Sequence, residues 1–343
     1  MSRRVWTIGV SYVIYPLAFD TPVHFGQAGY GGRLEQVGME CPADVLFGAL
    51  CSELAAAGEE AELERLVEGV RRQRLLFSDL LPWRRGEAAE LEFFVPRPVL
   101  GLTPAERPGK EGYGDACRLA AERKRQKRLR YIRASRMAAY VEAAKCGAPF
   151  AETAEFGAAS LRQRVNCRGE EPLPYYVGQF DFHVGAGLYL LLYAADEEDV
   201  CRVQDLLVWL GRSGIGGKRS SGYGKFRLAE DAIFLDDAGV YTDDAALYAM
   251  LEAKEAQWQM ALSPVLPDEA SLGVVQAGAY RLRRSGGFIT APQREARKKA
   301  SVYLLDAGSC FSERIAGTLA DLGACDGHAA WRYGLGLYAG VTI

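Results

Sequence analysis

A run of glycine, serine and basic residues between positions 211 and 224 is the part of the chain best suited to binding an anion. The segment from Leu210 to Phe226 contains six glycines, three serines and four basic residues. Glycine adopts positive φ angles at little cost and lets a ligand approach the main chain. Successive N–H groups in such a loop can point at one anion. The residue types therefore predict phosphate binding, either of a nucleotide cofactor or of a nucleic-acid backbone.

The spacing within this loop excludes the two common nucleotide motifs. Counted from Gly211, a Walker A loop requires lysine at the position of Gly217. Counted from Gly214, the dinucleotide motif requires a third glycine at the position of Arg219. We therefore expect no nucleotide cofactor.

The order of the flanking elements also argues against a nucleotide-binding loop. Asp196 to Leu210 predicts a helix with Asp196 as its N-cap, and Tyr223 to Leu235 predicts a strand. Nucleotide loops instead run from a strand to the N-terminus of a helix. Helix, glycine loop and strand in this order favour nucleic acid, and a plain helix C-terminal cap followed by a turn is the alternative. In the loop we expect phosphate ligands at Gly214, Gly216, Gly217, Lys218, Arg219, Ser220 and Ser221.

Basic residues also cluster outside the loop, although the net charge of the chain is −3. Residues 118–136 hold nine basic residues against Glu122, and residues 281–299 hold seven against Glu295. Such patches are typical of surfaces that contact phosphate. Solvated helix faces and strand edges are the alternative for each of them. The candidate nucleic-acid ligands in these patches and on an alternating ribbon at 160–168 are Arg123, Lys124, Lys127, Arg128, Arg130, Arg162, Arg164, Arg168, Arg283 and Arg284.

The amino-acid composition limits the classes of protein to which the chain can belong. The chain has 343 residues, 49% hydrophobic and 25% charged, which allows two or three domains with ample cores. It has no apolar run of transmembrane length and no signal peptide pattern, so we expect a cytoplasmic protein without a membrane partner. Its eight cysteines form no CxxC pair, and with three histidines a metal site is not expected.

The predicted elements of residues 1–236 run strand, helix, strand, insertion, strand, helix, glycine loop, strand. This is the ferredoxin-like or RRM-like order, with an insertion at about 101–175. We expect Asp44 and Ser135 to cap helices, and Pro96 and Pro98 to confine the strand Leu91–Leu100 to an edge. The helix at Arg118–Arg130 has almost no apolar stripe, so it is expected to lie in solvent or on an anion. The first predicted strand is Trp6–Phe19 and the third is Tyr175–Tyr193.

Residues 237–343 are expected to repeat this unit more loosely, which gives an α+β protein of two ferredoxin-like (RRM-like) domains. The predicted elements are a helix Asp243–Trp258, a strand Met260–Leu266, an extended pair around Ala279–Ile289, a strand Ala300–Leu305, a short helix Arg314–Leu322 and a strand Tyr333–Ile343.

Several segments in order resemble a known family. They are Val23-His24-Phe25-Gly26, 43–50, 94–98, 127–132, 187–189, the glycine loop, 286–288, 308–309 and Arg332-Tyr333-Gly334-Leu335-Gly336. Together they are similar to the RAMP superfamily of CRISPR proteins. Within it the chain resembles the Cas five-like fourth subunit of the type III-A Csm effector complex, which holds the 5′ tag of the CRISPR RNA (crRNA).

This resemblance implies two RRM-like domains, a protruding thumb hairpin and no nuclease activity. It implies the crRNA 5′ tag, the large polymerase/cyclase-like subunit and a backbone RAMP subunit as partners, with target RNA contacted indirectly. His24 and Gly26 join the expected RNA-binding residues.

Three alternatives stay open. His24 is a general base if the protein is a crRNA-processing endoribonuclease, with Tyr12, Tyr15 or Tyr30 as nearby partners, or it has a structural role. The equivalent subunit of a type III-B Cmr complex differs in partner and not in chemistry. Trp331 and Tyr333 either stack on bases or belong to the core.

Overall fold

The structure is a computed structural model and describes residues 11–26, 33–87, 89–100, 113–152, 154–167, 171–289, 297–323 and 329–342. Residues 6–10 of the first predicted strand, Tyr30 and Arg168 lie outside the described residues.

The helices are α1 (Ala43–Ala57), α2 (Glu60–Arg71), α3 (Tyr113–Arg128), α4 (Met137–Cys146), α5 (Glu197–Ser213), α6 (Thr242–Glu252) and α7 (Leu272–Ala277). The strands of the N-terminal part are β1 (Ser11–Phe19), β2 (Phe25–Gly26), β3 (Val37–Gly38), β4 (Leu75–Phe77), β5 (Leu81–Arg85), β6 (Leu91–Pro96), β7 (Tyr131–Arg133), β8 (Gly157–Asn166), β9 (Leu173–Phe182), β10 (Ala186–Ala194), β11 (Phe226–Leu228) and β12 (Ile233–Phe234). The strands of the C-terminal part are β13 (Trp258–Ala261), β14 (Leu282–Ser285), β15 (Phe288–Ile289), β16 (Arg297–Lys298), β17 (Val302–Leu305), β18 (Cys310–Phe311), β19 (Ala320–Asp321), β20 (Trp331–Arg332) and β21 (Tyr338–Val341).

The main sheet is antiparallel and has the order β11-β1-β10-β5-β6-β7, with β12 also paired to β1 and β4 to β10. Successive residues of β1 point to opposite faces. Val13, Tyr15 and Leu17 pack under α1, α2 and α5, whereas Tyr12 and Ile14 pack with α4, α6 and the C-terminal strands. The sheet is therefore buried on both faces, and the C-terminal part covers one of them. The predicted α+β class with antiparallel sheets is confirmed.

Three strand predictions are wrong. The predicted strand Tyr223–Leu235 consists of two short strands, β11 and β12. The predicted strand Tyr175–Tyr193 is divided into β9 and β10, because the chain turns at Gly185 with φ +78°. The strand containing Pro96 is not an edge strand, since β6 lies between β5 and β7. Pro96 is tolerated there as the last residue of its strand.

Some of the helix predictions are confirmed and others are wrong. Asp196 is the N-cap of α5 and accepts the Asp199 N–H at 2.9 Å, as predicted. Asp44 and Ser135 do not cap their helices, since Pro42 and Arg136 stand at those positions. The predicted helix Arg314–Leu322 is absent from that segment, which holds β19 instead. Gly317 explains the absence, because its φ is +75° and an added Cβ would lie 2.1 Å from the Gly334 carbonyl oxygen.

The C-terminal strand β20 and its neighbours also contribute to the core under α1. Tyr333 is fully buried, accepts the Phe77 N–H at 2.8 Å and donates to the Phe77 carbonyl oxygen at 3.2 Å. Trp331 is half-buried, with the Arg71 guanidinium 5.1 Å from its ring centroid. Of the two alternatives for Tyr333, base stacking or a place in the core, the structure supports the core.

The carboxylate of Asp44 forms a buried junction between the two parts of the chain. It accepts Arg283 at 2.9 Å and Arg332 at 2.7 Å, and it also accepts the Ser285 hydroxyl. Burial alone would raise the pKa of Asp44, but the two guanidinium groups and the Ser285 hydrogen bond outweigh it and lower the pKa from its ordinary value. This Asp44 junction ties the first turn of α1 to β14 and β20.

We predict that Asp44→Asn lowers the free energy of unfolding by about 3–5 kcal/mol at pH 7, because it leaves two buried guanidinium groups without their counter-charge. The folded pKa of Asp44 is lowered, so its stabilisation is present above the unfolded pKa of about 3.9 and is lost as the pH falls through the folded pKa. Urea unfolding of both proteins measures the difference. Glu68→Gln, which removes an exposed carboxylate paired with Arg71 and Arg72, is the control and should leave the midpoint nearly unchanged. Equal shifts for the two variants would contradict the assignment.

Candidate nucleic-acid interface

The glycine loop is closed by hydrogen bonds between its two ends. Helix α5 ends at Ser213, and the Gly214 N–H donates to the Leu210 carbonyl oxygen at 2.7 Å. Ile215 is fully buried, and its N–H donates to the Gly224 carbonyl oxygen at 2.9 Å. The Gly224 N–H in turn donates to Pro22 at 2.8 Å. The loop therefore has a defined shape and is attached to the segment that follows β1.

Two glycines of the loop pack directly on His24. The Gly217 N–H donates to the His24 carbonyl oxygen at 2.9 Å, and an added Cβ at Gly217 would lie 2.6 Å from the His24 ring. An added Cβ at Gly216 would lie 2.9 Å from the same carbonyl oxygen. The N–H groups of Gly214 and Gly217, which we expected to face an anion, are thus engaged within the protein.

His24 is buried and connects the glycine loop to β9. Its Nδ1 lies 2.7 Å from the Gly178 carbonyl oxygen, which can only accept, so Nδ1 carries the proton and donates. Gly26, two residues further on, is exposed in β2. The structure therefore places His24 as a residue that positions the loop against β9.

The solvent side of the loop is a single 3₁₀ turn, Arg219–Ser221, preceded by Lys218 at φ +62°. Within the turn the Ser221 N–H donates to Lys218 and the Gly222 N–H to Arg219, at 2.9 and 2.8 Å. The first N–H groups of any helical turn have no acceptor inside it. For Arg219 and Ser220 we find no acceptor among the described residues. These two amides and the exposed Ser220 and Ser221 side chains are available to an anion.

Two cations of the loop, Lys218 and Arg219, are held by neighbouring elements. Arg219 is paired with Glu53 of α1 at 2.7 Å, and Glu53 also accepts the Ser213 hydroxyl at 2.6 Å. The Lys218 Nζ lies 5.3 Å from the centroid of the Tyr175 ring on β9. Both side chains remain part-exposed, so each cation is oriented and still accessible.

Strands β8 and β9 form a largely exposed hairpin beside the loop. Their register places Arg162 and Arg164 on one face and Leu161 and Val165 on the other, in agreement with the predicted alternation. The Arg164 guanidinium lies 5.7 Å from the Tyr223 ring centroid, at the end of the glycine loop. The hairpin thus adds a third cation to those of Lys218 and Arg219.

Helix α3 carries a separate basic surface. The expectation that this helix cannot bury a face is wrong, because Glu122 and Gln126 form a buried polar stripe. Glu122 accepts the Phe150 N–H at 3.1 Å, and Gln126 donates to the Ala148 carbonyl oxygen at 2.6 Å. The opposite side leaves Lys124, Lys127 and Arg128 exposed and Arg123 half-exposed, while Arg130 pairs with Glu40. Helix α3 leads directly into β7, which lies at the sheet edge opposite to β11.

The remaining predicted ligands separate into two roles. Arg283 lies in the Asp44 junction and also reaches Asp306 at 3.2 Å. Arg284, on the other face of β14, is exposed and donates to Ser301 at 3.3 Å. Sequence reasoning missed Tyr175, Tyr223 and Glu53, which orient the cations. The alternation within β9 was the available signal for Tyr175, and no local signal marked Glu53.

The described residues contain no group of three or more His, Cys, Asp or Glu side chains that could hold a metal ion. Across the same residues, each helix is too short or too polar to cross a lipid bilayer.

Comparisons with known proteins connect this geometry to a family. Residues 254–341 match the family described as CRISPR Csm4 C-terminal domain. A protein of Mycobacterium tuberculosis named CRISPR system Cms protein Csm4 is 28% identical over 333 residues, which cover 95% of this chain and 96% of the relative. The resemblance to Csm4 is confirmed.

A solved structure of a Csm3–Csm4 subcomplex of the type III-A CRISPR-Cas interference complex shares the fold of this chain. Its TM-score is 0.61 at 14% sequence identity, and the alignment covers 97% of this chain and 100% of that one. A Csm1–Csm4 cassette in complex with AMPPNP aligns with a TM-score of 0.54 at 16% identity, over 97% and 98% of the two chains. The fold shared with chains of these assemblies therefore extends over nearly the whole chain.

We predict that Gly217→Ala lowers the free energy of unfolding by about 1–3 kcal/mol, because the new methyl group overlaps the His24 ring. Removing that ring removes the overlap, so His24→Ala combined with Gly217→Ala should be less destabilised than the sum of the single variants. Denaturant unfolding of the four proteins measures the coupling. Gly48→Ala, in α1 with open space around it, is the control and should be stabilising. Additive losses would show that the contact between Gly217 and His24 is unimportant.

Proposed function

We propose that this chain is a non-catalytic RNA-binding subunit of a type III-A CRISPR (Csm) interference complex and that it caps the 5′ tag of the crRNA. The observation that supports this most is the convergence of the Arg219 and Ser220 amides, Lys218, Arg219 and Arg164 where the glycine loop meets the β8–β9 hairpin. Backbone amides and cations at adjacent points suit consecutive phosphates of a single strand. The similarity to Csm4 supports the same proposal.

The RNA-binding surface in this proposal is centred on the glycine loop. It comprises Gly216, Lys218, Arg219, Ser220 and Ser221 with the hairpin residues Arg162 and Arg164. His24 supports this surface from within, and Gly26 borders it. Arg123, Lys124, Lys127 and Arg128 of α3 form a second basic surface, and exposed Arg284 is a further candidate. We leave Arg283 out, because Asp44 and Asp306 already hold its guanidinium.

We further propose that the chain consists of two ferredoxin-like domains, 1–236 and 237–343. In the first, β1 lies between β10 and β11, and β10 pairs with β4 and β5 on its other side. Helices α1 and α5 cover the same face of this sheet. The second contributes α6 and the sheet β18-β13-β21. The β8–β9 hairpin is the thumb of the first domain.

The partners in this proposal are the equivalents of those in the solved assemblies. The chain would bridge a Csm1-like large polymerase/cyclase-like subunit and a Csm3-like backbone RAMP subunit, since the related structures contain Csm4 with Csm1 or with Csm3. Target RNA is contacted indirectly, through the crRNA. A cytoplasmic location stays a prediction.

We predict that replacing Lys218 and Arg219 with alanine weakens binding of tag RNA by the assembled complex. It should also reduce the salt dependence of log K by about one unit for each phosphate contact that is lost. Fluorescence anisotropy with labelled tag RNA at several salt concentrations measures both quantities. Lys254→Ala removes an exposed cation of the C-terminal part and is the matched control. Unchanged affinity together with an unchanged salt slope would refute the assignment of the loop.

The endoribonuclease alternative requires His24 as general base together with an acid. The Nδ1 of His24 already donates to Gly178, and Tyr15 is fully buried with its hydroxyl donating to Val200 at 2.9 Å. Tyr12 packs in the cluster on the other face of the sheet. This arrangement favours the binding proposal. The type III-B alternative shares the chemistry, and co-purification with the large subunit of one complex or the other decides it.

We predict that the purified wild-type chain leaves repeat-containing crRNA precursor uncut, because Tyr15 is buried with its hydroxyl bonded to Val200 and Tyr12 packs on the other face of the sheet. Denaturing gel electrophoresis of a 5′-labelled precursor checks this. His24→Ala should therefore give the same gel pattern as the wild-type chain. Cleavage by the wild-type chain that disappears in His24→Ala would establish the alternative.

A further inference from the structure

Two cation–aromatic contacts join the glycine loop to the β8–β9 hairpin. In one the loop supplies the cation and the hairpin the ring, and in the other the roles are reversed. The Lys218 Nζ of the loop lies 5.3 Å from the centroid of the Tyr175 ring of the hairpin. The Arg164 guanidinium of the hairpin lies 5.7 Å from the Tyr223 ring of the loop. Both distances are within the roughly 6 Å over which a ring attracts a cation. Each element therefore orients the cation of the other.

The register of the hairpin makes the two contacts neighbours. Arg164 is directly opposite Tyr175 across the β8–β9 pair, so their side chains lie on the same face. Val177 and Gln179 follow Tyr175 on that face. The glycine loop packs on this face, while Gly178 on the other face meets the segment before β3.

Hydrogen bonds fix the Tyr223 ring in this arrangement. Tyr223 is buried, and its hydroxyl donates to the Gln179 Oε1 at 2.9 Å. Gln179 is itself held by Asp181 at 2.9 Å, and Arg164 also approaches the Tyr223 hydroxyl, at 3.5 Å. The Tyr223 N–H donates to the Lys218 carbonyl oxygen at 3.4 Å, which connects the ring to the residue that carries the other cation.

We infer that Tyr175 and Tyr223 are positioning residues, which hold the Lys218 ammonium and the Arg164 guanidinium at the contact between loop and hairpin for binding RNA phosphates. Long cationic side chains lose rotamer freedom when they bind, and orientation before binding reduces that cost. Loop and hairpin then bind the RNA as one preorganised unit. This inference rests on the proposed RNA-binding function and adds residues that contribute no charge themselves.

A double-mutant cycle on tag-RNA affinity of the assembled complex tests the inference. Tyr175→Leu should weaken binding about two- to fivefold, the strength of an exposed cation–π contact, with an unchanged salt slope. Tyr175→Phe keeps the ring and should bind as the wild type does. In the Lys218→Ala background Tyr175→Leu should cause no further loss, because the cation that it orients is gone. Tyr175 is half-exposed on the hairpin, so its replacement leaves the core intact.

Tyr176→Leu is the matched control, since Tyr176 is an adjacent tyrosine on the opposite face of β9. Its effect should be independent of Lys218. Losses from Tyr175→Leu and Lys218→Ala that simply add would overturn the positioning role and leave the proposed function intact. A Lys218→Ala variant with unchanged affinity and salt slope would instead refute the proposed function of the loop.

Discussion

The arrangement of the two parts of the chain depends on the buried ion pairs that the Asp44 carboxylate forms. This carboxylate is buried at the start of α1 and carries the counter-charge for Arg283 and Arg332, which come from β14 and β20. An unpaired charge at such a site costs several kcal/mol, so the three groups hold one another in place. Burial also raises the pKa of nearby Asp79, although the Arg283 guanidinium opposes the shift.

Helix α1 transmits this arrangement to the glycine loop. Asp44 lies in its first turn, and Glu53, which binds Arg219 and Ser213, lies nine residues further on, about 14 Å along the axis. The same helix thus contacts the C-terminal part at one end and the proposed phosphate ligands near the other. The shape of the loop comes from the packing of Gly216 and Gly217 against His24 and from the positive φ angles of its glycines 214, 216, 222 and 224.

Local patterns in the sequence predicted the helix–loop–strand order, the Asp196 cap and the alternation of the β8 ribbon. Each of these depends on residues within a few positions of one another. The sequence did not reveal that Asp44 binds arginines 239 and 288 residues away, because such a contact depends on how distant elements pack. For the same reason Arg283 resembled a phosphate ligand, and the polar stripe of Glu122 and Gln126 resembled a solvated helix. Within the candidate site, the cations could be predicted, whereas Glu53, which pairs with Arg219 from a distant helix, left no local signal.

The proposed function places the crRNA 5′ tag on the glycine loop and the adjacent hairpin. Photo-cross-linking tests it most directly, with crRNA carrying 4-thiouridine in the tag, the assembled complex, and mass spectrometry of the linked peptides. Cross-links are expected in peptides that contain residues 216–221 and 162–164. Cross-links confined to other surfaces of the chain, or to other subunits alone, would contradict it.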